Sequence, residues 1–440
     1  MRNSGKCPLN GNKGYLIFDP FRPYVGIAGL RAEPGARREF GEPQRMALSV
    51  EVVHLCGQSA GLRREGIVNR INRAVLIGLL ALPLAAAAAP ERQAYGKTAE
   101  GEQVDRYTLR NAHGVRLSVL TLGGVIEEIA VPDRAGHIAN VAIALPDVAA
   151  YEASPTVGAI IGRFANRISH GGFSIDGVRY PLSPDPAAII SHGGRKGFSS
   201  KVWKAVPCGV AGCRSVILRY HSADGENGFP GAMDVAVTYT LTDDDAVRLD
   251  YVATTTRPTV INLTNHSYFN LGGDRIGSVD DQWIQIVADS FTAVDPTRNA
   301  TGEIRPVVGT TLDLRKLVRI GERVAANDPQ ILLGNGFDHN FVLAKPAGDP
   351  TPVGARAWDP ASGRTLEMRT TEPGVQFYTA NGWNGKLQGA GGRMLRQGAG
   401  FALETQHYPD SPNQPAFPST VLRPGETFRS TTIYRFGVRR

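Results

Sequence analysis

Cysteine is scarce in this 440-residue chain: Cys7, Cys56, Cys208 and Cys213 are the only four. A chain this long can bury a core without disulfide or metal staples, so the scarcity costs it nothing. No two of the nine histidines are closer than 22 residues, and no H-E-x-x-H or other local zinc pair is present. Neither a P-loop nor a G-x-G-x-x-G that opens a strand-to-helix turn appears. No metal and no cofactor are therefore expected. Long apolar runs are missing too, since the longest, residues 74–89, has 16 residues against the roughly 20 needed to span a bilayer. Basic clusters are absent where they would matter. Residues 1–89 hold 12 Lys or Arg against 6 Asp or Glu, so the formal charge of +7 leaves a single unit over residues 90–440. A nucleic-acid groove needs clustered cations, and nucleic acid is excluded as a partner on that ground.

What the chain has in quantity is punctuation. Its 51 glycines and 29 prolines favour many short strands over long helices. From residue 104 onward apolar residues alternate with polar ones, as in Val115-Arg-Leu-Ser-Val-Leu120, Met233-Asp-Val-Ala-Val-Thr-Tyr-Thr-Leu241 and Val247-Arg-Leu-Asp-Tyr-Val252. Period two with turn residues between the runs predicts an all-β fold, antiparallel sheets packed as a sandwich. Leu312 to Ala326 is the one weakly helical stretch. With no repeat and no low-complexity linker, residues 90–440 read as a single domain.

The 16-residue apolar run has its own meaning. Arg70 and Arg73 precede Ala74 to Leu84, and five alanines, Ala85 to Ala89, lead to Pro90. Basic, apolar, then small is the layout of a secretory signal peptide, so residues 68–89 are expected to direct export to the periplasm or beyond, with cleavage near Ala87 to Ala89 and no membrane association afterwards. Residues 1–67 show no sustained period and are expected to be upstream sequence read through from a misplaced start. Gly57-Gln-Ser-Ala-Gly61, which matches the nucleophile-elbow pattern, falls in that stretch and is set aside as chance. Cys208 and Cys213 flank a short turn between strand-like runs, and in an exported protein that pair can oxidise.

Six polar clusters stand out against ordinary strand sequence: Gly162-Arg-Phe-Ala-Asn-Arg-Ile168, Ser191-His-Gly-Gly194, Asn262 to Leu271, Gly336 to Phe341, Glu372 to Tyr378 and Leu403 to Pro409. They set amide, guanidinium, imidazole and carboxylate groups among aromatic residues, a mixture suited to a sugar with its hydroxyls and its C–H face. Four of these phrases, including Leu403-Glu-Thr-Gln-His-Tyr-Pro-Asp-Ser-Pro-Asn-Gln-Pro415, follow the motifs and the motif order of the aldose 1-epimerase (galactose mutarotase) family, which the chain resembles over roughly residues 100–437.

The resemblance implies a large antiparallel β-sandwich of the galactose mutarotase type and interconversion of the α and β anomers of free aldohexoses, such as glucose or galactose, without a cofactor. Opening the ring needs a base for the C1 hydroxyl proton and an acid for the ring oxygen. Carried over by position, Glu404 is the base and His266 the acid, with Asn166, Arg167, His192, Asp338 and Gln376 binding substrate. A carboxylate tuned upward and an imidazole both exchange protons near neutrality. Gly193 and Gly194 would let the backbone approach the sugar. The partner is then a small monosaccharide, and no protein partner is implied. Other readings of the residues are a glycoside hydrolase using Glu404 and Asp338 as paired carboxylates, a sugar-binding module without catalysis, and a sugar-phosphate epimerase, which would want more cationic groups than Arg167 alone.

Overall fold

Alternation in the sequence becomes alternation in space. The computed structural model describes residues 89–208, 213–273 and 277–440; the export segment, the Gly57 to Gly61 motif, Cys7 and Cys56 lie outside them. Met233–Leu241 is a nine-residue strand in which every second residue, from Met233 to Leu241, is buried. It lies third in an antiparallel nine-stranded sheet ordered Lys204–Pro207, Ser215–Ser222, Met233–Leu241, Ala246–Thr255, Phe428–Val438, Arg364–Thr370, Val353–Trp358, Trp283–Ile286 and Val318–Arg319. Phe428–Val438, the last strand of the chain, pairs on one side with Ala246–Thr255 and on the other with Arg364–Thr370.

A second sheet of six antiparallel strands runs Tyr268–Phe269, Phe401–Gln406, Gly374–Tyr378, Asp338–Leu343, Ala288–Val294 and Ala300–Pro306. Its back packs on the nine-stranded sheet. Tyr434 donates its hydroxyl to the Leu403 carbonyl at 2.9 Å, and the Phe269 and Tyr434 rings lie 5.1 Å apart. Leu403, Phe377 and Phe341 belong to this shared core, each contributing about 1.5–3 kcal/mol by burial. Because side chains alternate along a strand, Glu404, Gln376 and Asp338 project from the opposite face. A five-stranded meander, from Glu91–Lys97 to Ile138–Asn140, completes the large sheets.

The expected antiparallel all-β sandwich is the architecture found. The expected helix from Leu312 to Ala326 shrinks to Ile320–Val324. Thr310 Oγ1 and Asp313 Oδ1 accept from the Leu312 and Arg315 amides, and Val318–Arg319 is recruited by the Trp283 strand. Local side-chain bonds and sheet pairing outcompete a weak helical preference. Cys208 and Cys213 form a disulfide with Cα atoms 6.0 Å apart, at the end of the hairpin made by Lys204–Pro207 and Ser215–Ser222.

Candidate active site

The face of the six-stranded sheet turned away from that core carries a ladder of buried polar groups. Glu404 and Gln376 are direct cross-strand partners, and Asp338 sits opposite Tyr378 on the next strand. Gln376 donates to Asp338 Oδ1 at 2.7 Å, while Arg167 Nη2 holds Asp338 Oδ2 at 2.8 Å. Arg167 also donates to the Asn166 side-chain oxygen at 3.2 Å. The carboxylate of Asp338 is thereby fixed from two sides, and charge-assisted bonds of this kind are the strong ones.

His266 arrives from a neighbouring segment. Its amide donates to the Ala159 carbonyl at 2.8 Å and its carbonyl accepts from the Gly158 amide at 2.9 Å, so the backbone is tied twice to the turn that leads into Ile160–Ile161. Nε2 then lies 3.5 Å from Glu404 Oε1, with His266 4% and Glu404 2% exposed. His192 stands with its ring edge toward His266, centroids 5.2 Å apart. Its amide donates to the Asn166 carbonyl at 2.8 Å, and its Nδ1 accepts from the Asn166 amide at 3.4 Å. Asn166 and His192 both adopt left-handed backbone, φ 64° and 52°, a conformation that clusters at functional sites.

Burial sets the charges. Loss of solvent, reinforced by the negative charge of Asp338 and opposed by Arg167, pushes the Glu404 carboxyl up to about 8. Loss of solvent likewise holds His266 down to about 4, with Asp338 in partial opposition, and holds His192 well below the usual imidazole range, where His266 and Arg167 add to the effect. Between these limits Glu404 and His266 share a single proton. Glu404 Oε2 and Gln376 Oε1 are buried and make no hydrogen bond among the described residues.

All these groups border one cavity of about 190 Å³, lined by Asn166, Arg167, His192, His266, Asp338 and Glu404 together with Thr156, Tyr268, Arg298 and Tyr378. Of the seven residues singled out from sequence, six line it, and Gln376 stands behind Asp338. Tyr268 and Tyr378 supply the aromatic wall. Tyr268 packs on Trp383 with centroids 4.4 Å apart. His192, His266 and Glu404 also present donor atoms within 4.8 Å of one another. That spread is wider than the roughly 3.4 Å between adjacent donors around a tetrahedral zinc.

Sequence reasoning missed three residues. Asn262 cross-links the site segments, accepting from the His407 amide at 2.9 Å and donating to the His407 and Ala165 carbonyls at 3.2 and 3.3 Å. Arg163, 2% exposed, donates to the carbonyls of Pro230, Gly231 and Ala223 and to Ser222 Oγ, which anchors the loop carrying Asn166 and Arg167. Both lie inside clusters already noted, but their partners are distant in sequence. Arg298 lies in none of the clusters. Gly193 also differs from expectation: a Cβ there would lie 2.0 Å from the Gly162 carbonyl oxygen. It serves the contact between two site loops, whereas Gly194 faces Asn227.

Comparison with known proteins covers almost the whole described chain. The sequence profile of the Aldose 1-epimerase family matches residues 105–435. Galactose mutarotase from Homo sapiens is 40% identical over 341 residues, 77% of this chain and 95% of that protein. Aldose 1-epimerase from Escherichia coli (strain K12) is 34% identical over 340 residues, 77% and 96% of the two chains. Among solved structures, galactose 1-epimerase from Lactobacillus acidophilus NCFM superimposes with a TM-score of 0.70 at 26% identity, over 80% of this chain and all of that one. An aldose epimerase homologue from C. elegans gives 0.68 at 26% identity, over 76% and 99%.

Proposed function

The chain belongs to the aldose 1-epimerase family, and from that premise we propose that Glu404 and His266 are the acid–base pair with which it interconverts the α and β anomers of free aldoses. The observation that carries the assignment is the 3.5 Å between Glu404 Oε1 and His266 Nε2 in the cavity. Mutarotation works on two oxygens bonded to the same carbon, the C1 hydroxyl and the ring oxygen. Two proton-handling atoms this close together can face both at once.

Ring opening uses the pair's single proton. Glu404 takes the proton of the C1 hydroxyl, the C1 carbonyl forms as the bond from C1 to the ring oxygen breaks, and that oxygen takes a proton from His266 Nε2. After rotation about C1–C2 the C5 hydroxyl attacks the other face of C1. It returns its proton to His266, while Glu404 returns one to the carbonyl oxygen, so the enzyme ends as it began. The starting form, with Glu404 ionised and His266 protonated, is reached by proton transfer across the 3.5 Å. Sugar hydroxyls donating to the carboxylate favour that form. Asp338, with Arg167 and Gln376 as fixed partners, accepts from sugar hydroxyls, and Asn166 and His192 add polar contacts. Tyr268 and Tyr378 cover the C–H face.

Polarimetry on freshly dissolved α-D-glucose and α-D-galactose tests the activity and compares the two sugars. The expected result is a rate above the spontaneous one that scales with protein concentration. No acceleration of either sugar would overturn the reading. The basic, apolar and small-residue order of residues 70–89 supports a second proposal, that the protein acts in the periplasm or outside the cell.

A further inference from the structure

Two residues that line the cavity, Thr156 and Arg298, have no task in the mechanism, and of these Arg298 is the charged one. It sits at the tip of the hairpin joining Ala288–Val294 to Ala300–Pro306 and is exposed, with φ 64°. The hairpin tip is held firmly. Asp295 Oδ1 accepts from the Thr297 and Asn299 amides and the Thr297 hydroxyl, the Arg298 amide donates to the Asp295 carbonyl at 2.8 Å, and Asn299 donates to buried Asp410 at 3.1 Å. Asp295 is thus occupied inside its own loop, Asp410 by Ser169, Asn299, Asn413 and Gln414, and Asp338 in the cavity by Arg167 and Gln376. Among the described residues the Arg298 guanidinium has no ion-pair partner. Its charge is nonetheless felt in the cavity, where it opposes the rise that burial imposes on the Tyr378 phenol.

Position in the sheet gives the site a direction. Passing from strand to strand at roughly 4.8 Å a step, the order is Glu404, Gln376, Asp338 and then the Arg298 hairpin. Glu404 and His266 take the anomeric end of a sugar. Arg298 stands beyond Asp338, toward the end that does not react. The charges along this line do not balance: Arg167 offsets Asp338, the Glu404–His266 pair is neutral overall, and one guanidinium remains.

We propose that Arg298 extends the substrate range to aldoses bearing a carboxylate remote from C1, hexuronates, by pairing its guanidinium with that carboxylate at the cavity rim. This rests on the epimerase reading of the same cavity. A planar guanidinium grips a carboxylate with two parallel bonds, and a ligand exposed at the mouth of the cavity leaves room for the approach. A neutral hexose would meet the same residue through single hydroxyl contacts, which are weaker.

Polarimetry at pH 7 on freshly dissolved α-D-galacturonate and α-D-galactose, with the wild type, Arg298→Gln and Arg298→Lys, tests it. Wild-type protein is expected to accelerate both sugars. Arg298→Gln is expected to lower the ratio of kcat/KM for galacturonate to kcat/KM for galactose by about tenfold or more, as loss of a hydrogen bond to a charged group does, with Arg298→Lys intermediate. Raising the salt concentration lowers the same ratio in the wild type, because an exposed pair is screened. Acceleration of galactose without galacturonate, or an unchanged ratio in Arg298→Gln, would overturn the proposal alone. Acceleration of neither sugar would overturn the epimerase reading beneath it.

Discussion

At the scale of single residues, chemistry forecasts what Glu404 and His266 do when altered. Glu404→Gln keeps the shape and one acceptor but cannot take a proton, and His266→Asn cannot deliver one. Each substitution is expected to lower kcat by about a hundred- to ten-thousand-fold while calorimetry still detects sugar binding. The double variant should be little slower than either single one, since groups serving one step are not additive. Near wild-type rates in Glu404→Gln would remove it as the base. The pH dependence follows from the shared proton. Below about 4 His266 is protonated while Glu404 keeps its own proton, and above about 8 the last proton leaves, so kcat/KM should show a plateau between those limits and fall on both sides. A profile centred narrowly on 6.5 would mean that an ordinary imidazole controls the rate. That Glu404 and His266 belong to one site was legible through the family resemblance, whose motifs carry both residues, and the cavity they line brings them together. Arg298 was not, since Asp295-Pro-Thr-Arg-Asn299 reads as a polar turn and nothing local reveals the cavity beside it.

At the scale of elements, strands were the legible part and loops were not. Period two located Met233–Leu241 to the residue, because one buried face imposes strict alternation. The glycines after His192 were misread, since their requirement comes from another loop. Gly193 has φ 80° and stands against the Gly162 carbonyl, so Gly193→Ala is expected to cost about 2–4 kcal/mol. It should also displace His192, giving a lower Tm and a loss of mutarotation at 25 °C, where the variant is still folded. A variant with unchanged Tm and activity would show that the two loops move apart freely. The Cys208–Cys213 bond closes a very short loop at a hairpin end, and cross-links of short loops remove little entropy from the unfolded chain. The double serine variant should therefore lose no more than about 2 kcal/mol in urea denaturation. A larger loss would place the bond among the main supports of the nine-stranded sheet.

At the scale of the whole molecule, the sequence predicted the class of fold but not the order of strands, because neighbours in the six-stranded sheet are assembled from residues 268 to 406 in an order unlike that of the chain. Export, proposed from residues 70–89, makes a whole-chain forecast. Protein recovered from the periplasm should begin near Ala89 when its N-terminus is sequenced, and an N-terminus upstream of Arg70 would contradict it. The central place of Phe428–Val438, between Ala246–Thr255 and Arg364–Thr370, bears on how such a chain travels. The middle of the larger sheet is thus made after both of the strands it joins. Until it is made, Ala246–Thr255 and Arg364–Thr370 lack the strand that links them, and contacts this distant in sequence form slowly. The larger sheet therefore cannot close before that strand is made, and on the proposed export route such a chain would meet a translocation channel still able to be threaded through as an extended strand.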